Sequence, residues 1–252
     1  MLLSEVFKKN KVLIPYYTLG DPDLAYTEDL VRHSFDSGAD MIELGIPFSD
    51  PIADGPVIQA SHQRALLANP TLNMADGFEL VVRVRKTHSQ PLLFMTAVNL
   101  VISFGAELFF KEAKRVGLNG VIIPDLSIEE ADAYIKYAKK YQIALIFLLS
   151  PLCTPERMRK IVKASSGFVY LIATTGTTGV RESLSMSLSE VTQKIKAIRA
   201  IPVAIGFGIS TPAQVQTVWT FAEGAIIGSY LVKKMESATV QEMGQALSFL
   251  RQ

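Results

Sequence analysis

The sequence predicts an α/β fold, a single (β/α)8 barrel with extended loops after its second and sixth strands. Three observations predict it. Eight short apolar runs alternate with segments of helical period along the 252 residues. The runs are hydrophobic throughout rather than at alternate positions, as expected of strands buried on both faces of a parallel sheet. No Gly-, Ser- or Pro-rich linker, close repeat or low-complexity tract divides the chain. α/β barrels of this length form one domain, so residues 1–252 are read as one TIM-barrel domain. A doubly wound open sheet is the competing architecture. It would normally bring a Gly-rich phosphate turn after the first strand, where only Gly20 stands.

In chain order, strands are expected at 12–17, 41–44, 92–97, 120–123, 144–149, 168–173, 203–207 and 224–227. Helices are expected at 24–37, 74–86, 106–116, 128–141, 155–164, 188–199 and 212–221. Pro155 and Pro212 each follow a Thr, which places a capping hydroxyl before a proline in the first turn. The strand starts are 29, 51, 28, 24, 24, 35 and 21 residues apart. The two largest gaps follow the second and sixth strands. Long loops in a compact domain are usually lids or binding loops, and here they extend the C-terminal face, where barrel active sites sit. Segments 45–55 and 174–186 are therefore where chemistry is expected.

Composition narrows the function. Hydrophobic residues make up 49% and charged residues 19%, which excludes a mostly disordered chain. Lys plus Arg is 25 against 24 Asp plus Glu, so no basic excess suggests nucleic-acid binding. The single cysteine, Cys153, excludes an internal disulfide and a cysteine metal cluster. The first residues do not resemble a signal peptide, because Glu5 interrupts them and the charges follow the apolar start. The least charged stretch, 92–106, is too short and too polar to span a membrane. A soluble, cytoplasmic protein without membrane contact is expected.

The second strand and its loop read Met41-Ile-Glu43-Leu-Gly45-Ile-Pro-Phe-Ser-Asp50-Pro-Ile-Ala-Asp54-Gly-Pro. Glu43 lies inside an apolar strand. It is either a strand-end carboxylate paired with an arginine or a functional group whose pKa burial has moved. Asp54 and Asp50 are either turn residues or site carboxylates. Two carboxyls near one cleft can divide acid and base roles if their surroundings separate their pKa values. The seventh strand ends in Gly206-Phe207-Gly208-Ile-Ser210 and the eighth in Gly228-Ser229. Glycines there let backbone N–H groups approach a phosphate, and Gly179 in the sixth loop can add to them.

Several residue types are missing from the expected strand ends. No lysine lies inside a strand core, which disfavours a Schiff-base aldolase. His33, His62 and His88 fall outside the strand ends, so no metal-ligand cluster is expected, and His62 reads as part of a helix surface. Cys153 has no evident partner base and reads as a packing residue; Trp219 reads as core. By elimination, metal-free acid–base chemistry on a phosphorylated substrate remains.

The segment from Glu43 through Asp54 to Gln59 closely resembles the signature of the tryptophan synthase alpha subunit family. The likeness extends over essentially the full chain. It includes Pro15-Tyr16-Tyr-Thr-Leu-Gly-Asp21-Pro, Asn99-Leu, Pro124-Asp125-Leu, Gly206-Phe-Gly-Ile-Ser210 and Gly228-Ser229. The resemblance implies a (β/α)8 barrel that cleaves indole-3-glycerol phosphate to indole and glyceraldehyde 3-phosphate without a cofactor. It also implies a beta-subunit partner in an alpha2-beta2 heterotetramer. The partner carries pyridoxal phosphate, receives the indole through a tunnel and joins it to serine. By position, Glu43 resembles the catalytic acid–base, and Asp54 the carboxylate that accepts the indole N–H. Tyr16 and Ile58 match positions lining the indole pocket, and Tyr170 a tyrosine near the substrate. Gly179, Gly206, Phe207, Gly208, Gly228 and Ser229 match the phosphate pocket. Asp125 matches a conformationally important loop position, and Asp50 and Thr178 a pair that closes the second and sixth loops over substrate.

The chain departs from the family pattern in the sixth loop, which reads Tyr170-Leu-Ile-Ala-Thr174-Thr175-Gly176-Thr177-Thr178-Gly179. Ser127 stands where Pro is usual, and Ala97 where an aromatic is common. These changes bear on loop closure, coupling to the beta subunit and turnover of the isolated chain. Two alternatives stay open: a barrel that mainly activates its partner allosterically, and a free-standing indole-releasing lyase.

Overall fold

Among the residues described by the computed structural model, nine parallel strands lie in the order β5-β4-β3-β2-β1-β9-β8-β7-β6. Those residues are 3–8, 11–173, 181–206 and 208–252, with 4 and 181–187 described by backbone alone. The strands are β1 (Val12–Thr18), β2 (Ile42–Gly45), β3 (Leu92–Met95), β4 (Gly120–Ile122), β5 (Ala144–Ile146), β6 (Leu148–Leu149), β7 (Val169–Ile172), β8 (Val203–Gly206) and β9 (Gly224–Ile227). β5 and β6 are halves of the expected fifth strand, interrupted at Phe147. Since they end the two sides of the sheet, the sheet comes round on itself there. The Phe147 carbonyl accepts the Tyr170 N–H across the joint. The eight expected strands are thus all present, and the barrel is nearly closed.

The helices are α1 (Leu3–Phe7), α2 (Leu24–Asp36), α3 (Pro56–Ala68), α4 (Met74–Val84), α5 (Val98–Phe104), α6 (Ala106–Val116), α7 (Asp132–Tyr141), α8 (Pro155–Ala164), α9 (Arg181–Ile198), α10 (Pro212–Val218), α11 (Ser229–Met235) and α12 (Val240–Leu250). The Thr-Pro starts behave as expected: Thr154 caps α8 through the Arg157 N–H, and Thr211 caps α10 in a capping box with Gln214. α7 begins at Asp132 rather than 128. α1, α5, α11 and α12 were not expected, and α3 was expected only as the helix surface on which His62 was placed. α1, α5 and α11 have five, seven and seven residues, too few to show a helical period. α3 hides for another reason: the buried residues on its inner face include Ser61 and His62, so it lacks an apolar stripe. Trp219 ends α10 half-buried, and its indole N–H donates to the Val12 carbonyl. Cys153 packs half-buried against the core, and burial pushes its thiol pKa up.

The helical layer outside β3 and β4 is aromatic. The Phe78 ring lies 5.3, 5.4 and 5.6 Å from those of Phe94, Phe104 and Phe109. Phe109 meets Phe110 edge-on at 5.3 Å. Phe109 is fully buried, so Phe109→Ala is expected to cost about 3–5 kcal/mol through lost transfer energy and the cavity left behind. Urea unfolding checks this; a loss below about 1 kcal/mol would mean the cluster collapses around the gap.

Register carries this frame to the site. Tyr16 of β1 pairs with Glu43 of β2, and Glu43 with Leu93 of β3. Side chains of laterally paired residues on neighbouring strands share a face. Glu43 and Tyr16 therefore point the same way.

Candidate active site

Glu43 is fully buried, and neither carboxyl oxygen has a hydrogen-bond partner among the described residues. Among the described residues no arginine pairs with it, so the reading as a paired strand-end carboxylate finds no partner. Desolvation penalises its charged form and pushes its pKa up to about 8. The group is a neutral acid at pH 7.

Asp54 sits in the loop between β2 and α3. A tight turn holds its backbone: its N–H donates to the Pro51 carbonyl at 3.1 Å, and its carbonyl accepts the Gln59 amide at 2.8 Å. Burial, helped by the nearby Asp125 charge, pushes its pKa up to about 6. It is mostly ionised at pH 7. Two carboxyls eleven residues apart in sequence are thus held in opposite protonation states.

Two tyrosines frame them. Tyr16 and Tyr170 are buried, and burial holds both phenols protonated; each also feels the charges of Glu43 and Asp54. Each ring lies across a strand-end glycine. A Cβ on Gly45 would stand 1.9 Å from the Tyr16 hydroxyl, and one on Gly206 2.2 Å from the Tyr170 hydroxyl. Only glycine permits this close approach.

A cavity of about 240 Å³ opens beside these groups, lined by Tyr16, Asp54, Gly55, Pro56, Val57, Ile58, Met95, Tyr170, Gly208, Gly228 and Ser229. The structure therefore brings Asp54, Tyr16, Ile58, Tyr170, Gly208, Gly228 and Ser229 to one space, with Glu43 beside Tyr16 and Gly206 beneath Tyr170. Asp50 and Asp125 border a smaller neighbouring cleft under the β2–α3 loop. Asp50 is exposed and accepts the Ser49 hydroxyl at 2.5 Å; Asp125 accepts the Val98 N–H at 2.9 Å, at the start of α5. Gly179, Thr178 and Phe207 lie outside the described residues, as do Thr174, Thr175, Gly176 and Thr177.

Arg64 of α3 anchors the wall. It makes two hydrogen bonds to Asp21, at 3.0 and 2.7 Å, and one to Glu236 at 3.1 Å. α3 is thereby tied to the loop after β1 and to the end of α11. A larger cleft of about 1090 Å³ lies at the opposite end of the barrel, where the strands begin. Its charged lining residues are Arg85, Lys114, Lys139, Lys163 and Arg199, with no carboxylate among them. Barrel chemistry belongs to the other face. Among the described residues no group of three or more His, Cys, Asp or Glu could hold a metal ion. Nor is any described helix long and apolar enough to cross a membrane.

His62 corrects the sequence reading. It is buried rather than on a helix surface, with Nε2 3.1 Å from the Tyr16 hydroxyl and Nδ1 accepting the Phe48 N–H at 3.3 Å. Burial pushes its pKa down to about 4. The signal was in the spacing: His62 lies four residues after Ile58, on the same helix face, and Pro56 marks the helix start. Met95, another lining residue, ends β3, two residues before the expected end of that strand at 97.

The description "Tryptophan synthase alpha chain" belongs to the family model that matches residues 3–250. The tryptophan synthase alpha chain of Thermoanaerobacter sp. (strain X514) is 41% identical over 247 residues, 96% of this chain and 93% of that relative. That of Methanocaldococcus jannaschii is 41% identical over 255 residues, 97% of this chain and 88% of the relative. The crystal structure of tryptophan synthase subunit alpha from Legionella pneumophila str. Paris superposes with a TM-score of 0.89 at 33% identity, covering 99% of this chain and 96% of that one. A chain of tryptophan synthase from M. tuberculosis, in an aminoacrylate-bound form, gives 0.89 at 29% identity, covering 99% and 97%. With matches of this extent and identity, the chain belongs to the tryptophan synthase alpha chain family.

Proposed function

We propose that this chain carries out its family's reaction, the retro-aldol cleavage of indole-3-glycerol phosphate to indole and glyceraldehyde 3-phosphate, with Glu43 and Asp54 as its working groups. What carries the assignment of roles is a pair of carboxyls, Asp54 lining the cavity and Glu43 buried without a partner among the described residues on the face it shares with Tyr16, with burial separating their pKa values. Such a split marks acid and base roles.

Glu43, neutral at pH 7, gives its proton to indole C3. The ring becomes a cationic indolenine, and the Asp54 carboxylate accepts its N–H and offsets the charge. Glu43, now a carboxylate, removes the proton from the 3′-hydroxyl of the glycerol chain. The C3–C3′ bond breaks, its electron pair neutralises the ring, and the aldehyde forms. Glu43 ends protonated, as it began. Glu43 and Asp54 supply the proton and the charge, so the chain itself needs no cofactor. Ile58, Met95 and the tyrosine rings pack the indole. Gly208 after β8, with Gly228 and Ser229 at the start of α11, presents the phosphate side of the cavity.

A beta subunit, which members of this family have as partner, receives the indole. An alpha2-beta2 assembly with pyridoxal phosphate in the partner completes this reading. Ile52 and Leu152, each 83% exposed on loops at the C-terminal face, support a docking surface beside the cavity.

The test is the pH dependence of indole release. Cleavage requires Asp54 ionised, above about 6, and Glu43 protonated, below about 8. A bell with its maximum near the midpoint of those limbs is expected. A rate that rises monotonically through the upper limb would assign Glu43 the wrong starting state.

A further inference from the structure

The cleft where the strands begin gathers cations that the fold leaves without counter-charges. Arg85, Lys114, Lys139, Lys163 and Arg199 line its volume of about 1090 Å³. None of the five pairs with a carboxylate among the described residues. Other cations of the same elements do. On α4, Arg83 pairs with Glu28 and Glu79, while Arg85 at the end of that helix pairs with neither. Arg115 of α6 pairs with Glu112, Lys140 of α7 with Glu107, Lys160 of α8 with Glu156 and Lys196 of α9 with Glu223. Lys114, Lys139 and Lys163 on those helices, and Arg199 just past α9, turn to the cleft instead.

The two arginines are fixed there. Arg85 is half-buried. It donates from Nε to the Gly117 carbonyl at 3.0 Å, from Nη1 to the His88 and Gln90 carbonyls at 3.2 and 2.8 Å, and from Nη2 to the Asn119 side-chain oxygen at 2.7 Å. Arg199, also half-buried, donates to the Lys163 and Ser165 carbonyls. These acceptors are all neutral, so neither positive charge is offset, and burial pushes the Arg85 pKa down to about 10. Basic residues in a last helical turn do complement the helix dipole, and Lys114, Lys139 and Lys163 are so placed. The dipole accounts for their sign. It does not account for five cations converging on one concave space that no carboxylate enters. Walls of one sign around a cleft focus the field and concentrate a counter-ion there.

We propose that this cleft binds a polyphosphate chain through the two guanidinium and three ammonium groups. A single phosphate would leave most of the space and most of the charges unmatched; linked phosphates reach several donors at once. Leu118, Ile143 and Leu145 give the cleft an apolar floor. The recognised chain can therefore belong to a free inorganic polyphosphate or to a nucleoside polyphosphate. The cleft lies at the end of the barrel away from Asp54 and its cavity, so its ligand is independent of the lyase reaction.

Calorimetric titration of the full chain with sodium tripolyphosphate tests this. The buffer is free of divalent cations and holds saturating glycerol 3-phosphate, which fills the phosphate side of the active-site cavity. One saturable site is expected. Lys139→Gln/Lys163→Gln removes two exposed ammonium groups and leaves the arginines in place; it is expected to weaken binding about tenfold or more. Lys111→Gln/Lys136→Gln makes the same change in net charge at exposed positions of α6 and α7 outside the cleft lining. It is expected to keep the wild-type affinity. All four lysines are exposed, and thermal unfolding of each variant checks that it folds as the wild type does. The same titration with ATP identifies the source: tighter binding than tripolyphosphate assigns a nucleotide, equal or weaker binding the free chain. Absence of a saturable tripolyphosphate site would overturn the proposal and leave the five cations as complements of helix ends. Equal weakening by the two double variants would also overturn it, because the attraction would then be one of overall charge.

Discussion

Glu43→Gln is expected to lower kcat for indole release by about 10²–10⁴-fold, the span of general acid–base catalysis. The amide keeps the shape of the carboxyl but can neither give nor recover the proton. The same substitution is expected to stabilise the fold, and the sign follows from linkage. The folded pKa of Glu43 is raised from 4.5 to about 8, so between those values the native state binds a proton that the unfolded state has lost. Stability therefore falls as pH rises through that window. Gln carries no such penalty. The stability gap between Glu43→Gln and wild type is expected to widen from pH 4.5 to about 8, by at most about 1.4 kcal/mol per pH unit, and to stay flat above it. Urea unfolding across that range checks it; a gap that narrows with rising pH would mean that Glu43 is stabilised as a carboxylate.

Asp54→Asn is expected to lower kcat by about 10²–10³-fold. Asn can still accept the indole N–H through its carbonyl oxygen, so the substrate can still bind. The lost element is the negative charge that offsets the cationic ring in the transition state. The lower limb of the pH profile, set by Asp54 at about 6, is expected to vanish. Burial and the Asp125 charge raise the folded pKa of Asp54 above its ordinary 3.8, so ionising it costs stability as pH rises from there to about 6. The Asn variant is expected to be the more stable protein above that window. Steady-state kinetics and thermal unfolding at several pH values check both. An Asp54→Asn enzyme with the wild-type lower limb would move the charge role to another residue.

Much of the barrel could be read from the sequence because its strands are apolar on both faces, so each registers as a continuous run. The break at Phe147 could not be, because the run 144–149 is unbroken in hydrophobicity and the interruption is a matter of backbone pairing. Helices with an apolar stripe, such as α4 and α6, were visible. α3 was not, for the reason that makes it useful: its inner face is polar and carries the site. α12 was readable from its Thr239-to-Glu242 capping box ahead of an apolar run, a signal the strand-and-helix alternation did not require.

The site divides in the same way. Glu43 stood out as a charge in an apolar strand, while Asp54 was one carboxylate among turn residues until the loop placed it at the cavity. The burial of His62 depended on a helix that the apolar pattern did not reveal. The pKa separation of Glu43 and Asp54 is a product of desolvation, and no local sequence feature encodes it.

Division of labour between one neutral and one ionised carboxyl is the claim on which the mechanism stands. NMR titration of isotope-labelled side-chain carboxyl carbons in the substrate-free chain measures it directly, with Glu43→Gln and Asp54→Asn supplying the assignments. Midpoints near 8 for Glu43 and near 6 for Asp54 are expected. Two midpoints near the ordinary carboxylate value of about 4, or Asp54 holding its proton to higher pH than Glu43, would contradict it.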